Sequence, residues 1–343
     1  MIFQLFFIFV GFAIGIIGTI VGAGGGFIAV PMLLWIYPNL NSSYASRVIA
    51  SCSILFVFFN ALLGSWEHAK VKMIKYKEGS LYSACAIPAI LIGIYITDRM
   101  SLAWFKIVFG IIIIPISVFS FIRSYHDITA RDKPNNALGM AISFFISIFA
   151  STLGVGGGIL YGPTFAYFLK FDKLVAKATS MFIVGITSLV IVILRTKQDV
   201  LPFELVGYLL LTLVFITIGL LSNYVMDKLL SKRLQCECLL NQKQVCGTCL
   251  IKYLFSGIFG VLVSYILFLL SNIAKAEPFV NGEYGKIFLI TLLLTVGGTQ
   301  SSKLGNALSI KFGGSWVMRI LAILLGLVGI LTIYRGWSGI ISH

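Results

Sequence analysis

A glycine-rich motif that occurs twice decides the fold of this chain. Residues 22–31 read GAGGGFIAVP and residues 154–163 read GVGGGILYGP, so four glycines and the proline return in register. Apolar segments interrupted by Gly and Pro at matching positions are typical of duplicated membrane proteins with a binding site between their halves. We therefore expect two transmembrane repeats, over 1–136 and 137–343.

The residues around the motifs indicate an integral membrane protein. Of the 343 residues, 59% are hydrophobic and 11% are charged, whereas soluble domains hold about 45–50% and about 25%. A helix needs about 20 apolar residues to cross the hydrocarbon core, and open sheets cannot span lipid. The fold class is therefore all-α, a polytopic transmembrane helix bundle of about ten segments. The uncharged runs are 1–37, 48–66, 79–97, 107–122, 137–169, 178–194, 205–226, 253–274, 287–302 and 320–334.

Both motifs are expected to interrupt their helices. The 37 uncharged residues of the first run would form a straight helix of about 55 Å, longer than the hydrocarbon core. Adjacent glycines weaken a helix, and Pro31 and Pro163 exclude a regular helix interior, so the chain must kink, re-enter or break there. Free N–H groups at the start of a half-helix attract an anion without a buried Lys or Arg. The alternative is that the glycines only allow close helix packing.

Small hydroxyl residues follow each motif at the start of the next helix. They are Ser51 in the first half and Thr179 and Ser180 in the second, and they either bind substrate oxygens or bond to the preceding turn. Arg47 and Lys177 come just before them, and either attract an anion or are solvated loop charges. The predicted substrate-binding residues are Gly22, Gly24, Gly25, Gly26, Pro31, Ser51, Gly154, Gly156, Gly157, Gly158, Pro163, Thr179 and Ser180.

The motif pair resembles a known family. Paired GxGGGxxxxP segments, each followed by a helix that opens with A-S or A-T-S, resemble the TauE/SafE sulfite exporter family of membrane permeases. The resemblance covers both repeat cores, over 11–122 and 141–226, and extends loosely to the C-terminal helices. It implies a permease for sulfur-containing or organic anions such as sulfite, sulfoacetate and related sulfonates.

The resemblance leaves the C-terminal half open. It implies about eight helices in two sets of four, so one helix pair of this chain is additional. Either 205–226 with 253–274, or the final pair from Gly285, fills that role. Two glycine patterns fit the third helix of the second repeat equally well, and these are Gly219-x₃-Asn223 and Gly297-x₇-Gly305.

The distribution of basic residues along the chain predicts its membrane topology. The formal net charge of +14 is dispersed among apolar runs, which does not favour nucleic-acid binding. Four lysines follow the second run and predict a cytoplasmic loop. If every run crosses once, the N-terminus is cytoplasmic, although the basic residues of 170–177 and 228–243 then lie on the wrong side. The four lysines are Lys70, Lys72, Lys75 and Lys77.

Four of the six cysteines form a loop motif near 227–252. Its spacing is Cys236-x-Cys238-x₇-Cys246-x₂-Cys249. In a reducing compartment four thiolates suit a tetrahedral zinc ion, and in an oxidising one two disulfides are expected. The three histidines are assigned to loops or to the terminus, and they are His68, His126 and His343.

The expected function is secondary transport of small anions by alternating access, with no enzyme activity. A Walker motif is absent from the sequence. No cofactor is expected to be required, and zinc at the cysteine loop is the one candidate metal. The expected partners are the lipid bilayer of the cell membrane, the anion and further copies of this chain. The alternative is a membrane-embedded thiol-redox or metal-dependent protein that uses the cysteine loop.

Overall fold

The computed structural model describes residues 2–37, 43–123, 134–198, 200, 205–234, 247–270 and 283–341. Within these ranges the chain forms twelve helices and no strand, which confirms the all-α prediction. The helices are α1 Ile2–Val21, α2 Gly26–Ile36, α3 Ser43–Lys70, α4 Tyr76–Arg99, α5 Leu102–Arg123, α6 Asn136–Leu153, α7 Gly158–Tyr167, α8 Lys173–Lys197, α9 Leu205–Leu234, α10 Gly247–Leu270, α11 Glu283–Gln300 and α12 Ser302–Ile341.

The helices are long and apolar enough for a membrane bundle. Eight helices in the described ranges meet the length and hydropathy of a membrane span, and a ninth is added if the bent pair Tyr284–Gln300 and Ser302–Lys311 counts as one span. The two parts of that pair meet at 51°. Large apolar side chains such as Trp66, Phe145 and Leu221 are exposed on the outside, as expected of a surface that faces lipid tails.

The first glycine motif turns its run into a hairpin. α1 ends at Val21 and α2 begins at Gly26. Phe6 near the start of α1 and Trp35 near the end of α2 line one apolar cavity of about 380 Å³. α2 therefore runs back beside α1, and this run enters and leaves the bundle on the same face.

The second motif produces the same hairpin from α6 and α7. The Tyr161 hydroxyl of α7 lies 3.0 Å from Ser143 Oγ and 2.7 Å from Ser147 Oγ, both on α6. Further along α7, the ring centroid of Phe165 lies 5.4 Å from that of Tyr82, which also packs near the start of α6. Of the three expected outcomes at the glycines, the chain takes re-entry.

The prolines of the motifs lie inside helices, contrary to our expectation. Pro31 lies within α2 and Pro163 within α7. Each lacks an N–H, so the carbonyl four residues earlier, in Phe27 or Ile159, loses its helical partner. A single missing bond is tolerated because each helix is short and packed inside the bundle.

The two hairpins enter the bundle from opposite faces. α3 begins after α2 on the face where α1 begins, which we call the N-terminal face, and crosses to the opposite face. There the N–H of Lys75 at the start of α4 donates to Thr179 Oγ1 near the start of α8, at 3.2 Å. On the N-terminal face, Asp98 at the end of α4 pairs with Arg47 of α3 and with Arg195 near the end of α8. Because α8 follows the second hairpin, that hairpin opens to the opposite face.

Two close helix contacts have matched positions in the two halves of the chain. A Cβ on Gly93 of α4 would lie 2.5 Å from the Ile148 carbonyl oxygen of α6, and a Cβ on Gly305 of α12 would lie 2.8 Å from the Ile16 carbonyl oxygen of α1. Ile16 and Ile148 hold the same position relative to their glycine motifs. The bent span of α11 and early α12 thus packs against α1 as α4 packs against α6. This contact favours Gly297-x₇-Gly305 for the third helix of the second repeat, and which helix pair is additional stays a prediction.

Candidate functional site

The two glycine breaks touch each other inside the bundle. A Cβ on Gly158 would lie 2.3 Å from Ala23 Cα and 2.5 Å from the Gly22 carbonyl oxygen. A Cβ on Gly26 would lie 2.8 Å from the Val155 carbonyl oxygen. Both breaks are buried. The contact is therefore made of backbone, and glycine is required on both sides of it.

Each break ends on a glycine that caps the following helix. Gly25 precedes α2 with φ 88° and Gly157 precedes α7 with φ 77°, a left-handed conformation that disfavours any side chain. The first N–H groups of a helix have no partner within it, and they carry partial positive charge. Among the hydrogen bonds of the described residues, no acceptor is found for the N–H groups of 24–27 or of 156–159. Two buried helix N-termini thus lie at the contact between the breaks, with donors that are unpaired among the described residues.

Helix α3 supports both breaks from one side. Val57 packs against Gly24 and Gly156, because a Cβ on either glycine would lie within 2.8 Å of a Val57 methyl carbon. Asn60 Nδ2 donates to the Gly24 carbonyl oxygen at 2.9 Å. Asn60 was not among the predicted site residues, although a polar amide within an uncharged run is a sequence feature that could have indicated it.

The predicted hydroxyl residues make bonds within the protein. Ser51 Oγ donates to the Arg47 carbonyl oxygen at 2.6 Å, one turn earlier in its own helix. Thr179 accepts from the Lys75 backbone, as described above. Ser180 Oγ lies 3.0 Å from the Gly22 carbonyl oxygen and 2.8 Å from that of Lys177, so it joins α8 to the first break. In this conformation all three hydroxyls have protein partners.

The basic residues before those hydroxyls belong to helices, and the loop interpretation was wrong for both. Arg47 lies in the second turn of α3 and Lys177 in the second turn of α8. Arg47 donates from Nη2 to the Asp98 carbonyl oxygen and pairs through Nε with Asp98 Oδ1 at 3.5 Å. Lys177 is 6% exposed, and its Nζ has no hydrogen-bond partner in the described part of the chain.

His68 was also assigned to a loop, and this was wrong. It lies in the last turn of α3 and is 1% exposed, whereas its neighbour Glu67 pairs with Lys70 at 2.8 Å. The helix continues past the end of the uncharged run, so the imidazole turns into the bundle. His126 and His343 lie outside the described residues.

Two arginines share one aspartate where α3, α4 and α8 meet on the N-terminal face. Arg195 is buried and pairs through Nη1 with Asp98 Oδ1, and Gln198 Nε2 lies 3.4 Å from Asp98 Oδ2. This cluster fixes one end of three helices that surround the breaks. The sequence analysis missed Asp98 and Arg195, because both stand at the ends of uncharged runs where solvated charges are the usual interpretation.

Comparison with known proteins places the chain in a family. Residues 7–236 match the family described as "Sulfite exporter TauE/SafE". The chain belongs to the TauE/SafE family. The predicted resemblance is therefore confirmed, and this is a multi-pass membrane protein of a transporter family.

Two relatives of this TauE/SafE protein carry transporter names. The chain is 28% identical over 199 residues to "Probable membrane transporter protein YunE" of Bacillus subtilis (strain 168), which covers 52% of this chain and 73% of that protein. It is 28% identical over 184 residues to "Probable membrane transporter protein MJ0441" of Methanocaldococcus jannaschii, over 53% of this chain and 68% of that protein. No solved structure matches the chain.

The four-cysteine loop lies mostly outside the described residues. Cys236, Cys238 and Cys246 fall there, whereas Cys249 lies near the start of α10, where it is buried and disulfide-bonded. The described residues contain no group of three or more His, Cys, Asp or Glu that could hold a metal ion. Zinc at the loop of this TauE/SafE member stays a prediction.

Proposed function

We propose that this TauE/SafE protein is a secondary transporter that moves small anions, sulfur oxyanions or organosulfonates, across the membrane by alternating access. The observation that carries the proposal is the pair of inverted hairpins whose glycine breaks meet inside the bundle. Inverted repeats with broken helices at their interface are the general architecture of such transporters, and substrate binds at the breaks.

The chemistry of the breaks favours a compact anion. Several unpaired N–H groups at two helix N-termini stabilise negative charge by hydrogen bonding and by the helix dipole. The walls are glycine backbone and small side chains such as Ala23 and Val155. An oxyanion with several oxygens can accept from both breaks at once, which a larger organic molecule cannot do in this space.

The closed contact between the breaks supports a mechanism of alternating access. Since a Cβ cannot fit between Gly158 and Ala23, an anion enters only when the hairpins separate. The cavity that adjoins Gly157 has a volume of about 10 Å³, close to the space that one water molecule needs. A conformation of this kind suits an occluded step of transport, in which the binding site is closed to both faces of the membrane.

Proteoliposome uptake tests the proposal. Radiolabelled sulfite, sulfate, thiosulfate, sulfoacetate and acetate are offered to the wild-type protein and to two variants, Gly25→Leu and Gly157→Leu. Uptake of at least one sulfur anion is expected, with loss in both variants because a side chain at φ near +80° distorts the cap. Gly185→Leu is the matched control, since a Cβ on this α8 glycine meets nothing within 4 Å. The proposal fails if no anion moves, or if both folded variants transport like the control.

The hairpins change the expected orientation. Because α1 and α2 leave on the face where they enter, the Lys70–Lys77 lysines lie on the face opposite the N-terminus. Lys170 and Lys228 lie on that same opposite face, so the two loops that conflicted with a cytoplasmic N-terminus now agree with the Lys70–Lys77 loop, whereas Arg195 and Arg335 lie on the N-terminal face. The positive-inside rule supports a cytoplasmic location for the opposite face and an external N-terminus.

Cysteine labelling in intact cells tests this orientation. A membrane-impermeant maleimide should react with Ser101→Cys on the N-terminal face and leave Lys72→Cys on the opposite face unreacted. The unsubstituted chain gives the background from its own cysteines. The reverse labelling pattern would restore the cytoplasmic N-terminus.

A further inference from the structure

The first glycine break has a buried cation beside it. Lys177 lies on Gly22, since a Cβ on that glycine would lie 2.6 Å from Lys177 Cγ and 3.0 Å from its carbonyl oxygen. Lys177 is 6% exposed, so more than nine-tenths of the residue is buried. Its Nζ is itself buried and has no hydrogen-bond partner among the described residues.

In the part of the chain that the structure describes, no such cation lies beside the second break. Ala178-Thr179 follows Lys177 as Ala50-Ser51 follows Ile49, and Gly154 of the second break packs on Ala50, where a Cβ would lie 2.6 Å from Ala50 Cα. The counterpart of Lys177 is therefore Ile49, a buried apolar residue. The two breaks have matched backbones but different charge.

Within the described ranges, no carboxylate pairs with Lys177. The ion pairs of the described residues join other partners, and Lys177 is in none of them. His68 is a second buried titratable side chain, and its Nδ1 also lacks a partner among the described residues. A buried ammonium without a counter-charge is costly, and an arriving anion removes that cost.

We infer that Lys177 is the charged ligand of the transported anion, which binds at the first break, Gly22–Gly26, against the Lys177 ammonium. This inference rests on the proposed function and assigns the substrate to one of the two breaks. On this assignment, the donors offered to the oxyanion are the three ammonium protons of Lys177 and the unpaired N–H groups of 24–27. The 156–159 amides approach the same anion without a charged side chain of their own.

The test measures anion binding and uptake in matched variants. Lys177→Met and Lys177→Gln remove the charge, Lys177→Arg keeps it, and Lys106→Met neutralises another buried lysine, on α5, that lies away from the breaks. The probe is whichever of sulfite, sulfate, thiosulfate and sulfoacetate the wild-type protein transports fastest. Two readouts are taken, the half-saturation concentration for uptake and the rise in thermal midpoint that the anion causes in detergent.

The inference predicts a half-saturation concentration raised about tenfold or more by Lys177→Met and Lys177→Gln. Both variants should keep their anion-free midpoint within a few degrees and lose most of the anion-induced rise. Lys177→Arg and Lys106→Met should stay close to wild type in both readouts. Wild-type uptake with unchanged half-saturation in either neutral variant overturns this inference alone, whereas absence of uptake by the wild type overturns the proposed function as well. If neither neutral variant folds, a normal anion-induced rise in Lys177→Ile combined with Ile49→Lys also overturns it.

Discussion

The two re-entrant hairpins have the same backbone course but different internal support. In the second hairpin, Tyr161 of α7 bonds to Ser143 and Ser147 of α6, so its two arms are joined by hydroxyls. The first hairpin has Gly11 and Gly15 at the positions that correspond to the two serines. Those glycines instead allow α11 to approach, since a Cβ on Gly11 would lie 2.2 Å from the Leu294 carbonyl oxygen.

The difference shows how a duplicated element can be stabilised in two ways. The second hairpin has polar contacts between its own two arms in addition to those with α4, such as Thr97 Oγ1 to the Thr152 carbonyl oxygen at 2.8 Å, whereas the polar contacts described for the first hairpin come from its neighbours. Asn60 of α3, Ser180 of α8 and the backbone of α11 all contact it from outside. We therefore expect the first hairpin to respond to substitutions in other helices, and the second to substitutions within itself.

The largest expected effect comes from the backbone contact that both hairpins share. Gly158→Ala places a methyl group 2.3 Å from Ala23 Cα, and a clash with backbone cannot be relieved by a rotamer change. The substitution should destabilise the protein by about 3 kcal/mol and abolish transport. Gly162→Ala in the same helix is the control, because its nearest neighbour would lie 3.5 Å away. Thermal midpoints in detergent measure both, and equal midpoints would show that the hairpins do not touch as described.

An intermediate effect is expected inside the second hairpin. Tyr161→Phe removes the hydroxyl that Ser143 and Ser147 share, so the buried Ser147 hydroxyl loses its partner, whereas Ser143 keeps its bond to the Tyr82 carbonyl oxygen at 2.9 Å. The cost should be about 1–3 kcal/mol. Tyr95→Phe, at an exposed position of α4, controls for loss of a tyrosine hydroxyl at the lipid-facing surface. A Tyr161→Phe midpoint equal to that control would mean that the hydroxyl network does not support this hairpin.

The smallest expected effect concerns the outside support of the first hairpin. Asn60→Ala removes the hydrogen bond to the Gly24 carbonyl and also a buried Oδ1 that has no partner. These changes partly cancel, so stability should fall by about 1 kcal/mol or less. Transport should fall more clearly, because the first break loses its position relative to α3. Ser188→Ala is the control, since the hydrogen bonds described for that hydroxyl lie within α8. Equal transport by the two variants would contradict the support of the first hairpin by Asn60.

The sequence predicted where the chain breaks but not which way it then runs. Two glycine motifs in overlong uncharged runs were enough to place the interruptions, because no straight helix of that length fits a bilayer. Whether the run crosses or returns depends on tertiary contacts, such as Phe6 and Trp35 lining one cavity. Hydropathy shows that a run is apolar but not whether it crosses the membrane or returns. The expected orientation assumed that every run crosses once, and it changed when two runs proved to be hairpins.

The buried charges were missed for a different reason. Uncharged runs were used to set helix limits, so Lys177, Arg47 and His68 fell just outside them. The helices extend past these residues, with α3 beginning at Ser43 and α8 at Lys173. Charge at a helix end is ambiguous in sequence, because snorkelling to water and packing inward use the same residues. For Lys177, the close approach of Gly22 shows that the residue packs inward and does not extend to water.

The contact between the breaks has a mechanical consequence. Side chains can adapt to a ligand by changing rotamers, but glycine backbone has none to change. Under the proposed function, an anion is therefore not admitted by small local adjustments, and the two hairpin tips part as rigid bodies. On that proposal the breaks have two positions, in contact with each other or separated by the anion, and a continuous leak of ions through the protein is not expected.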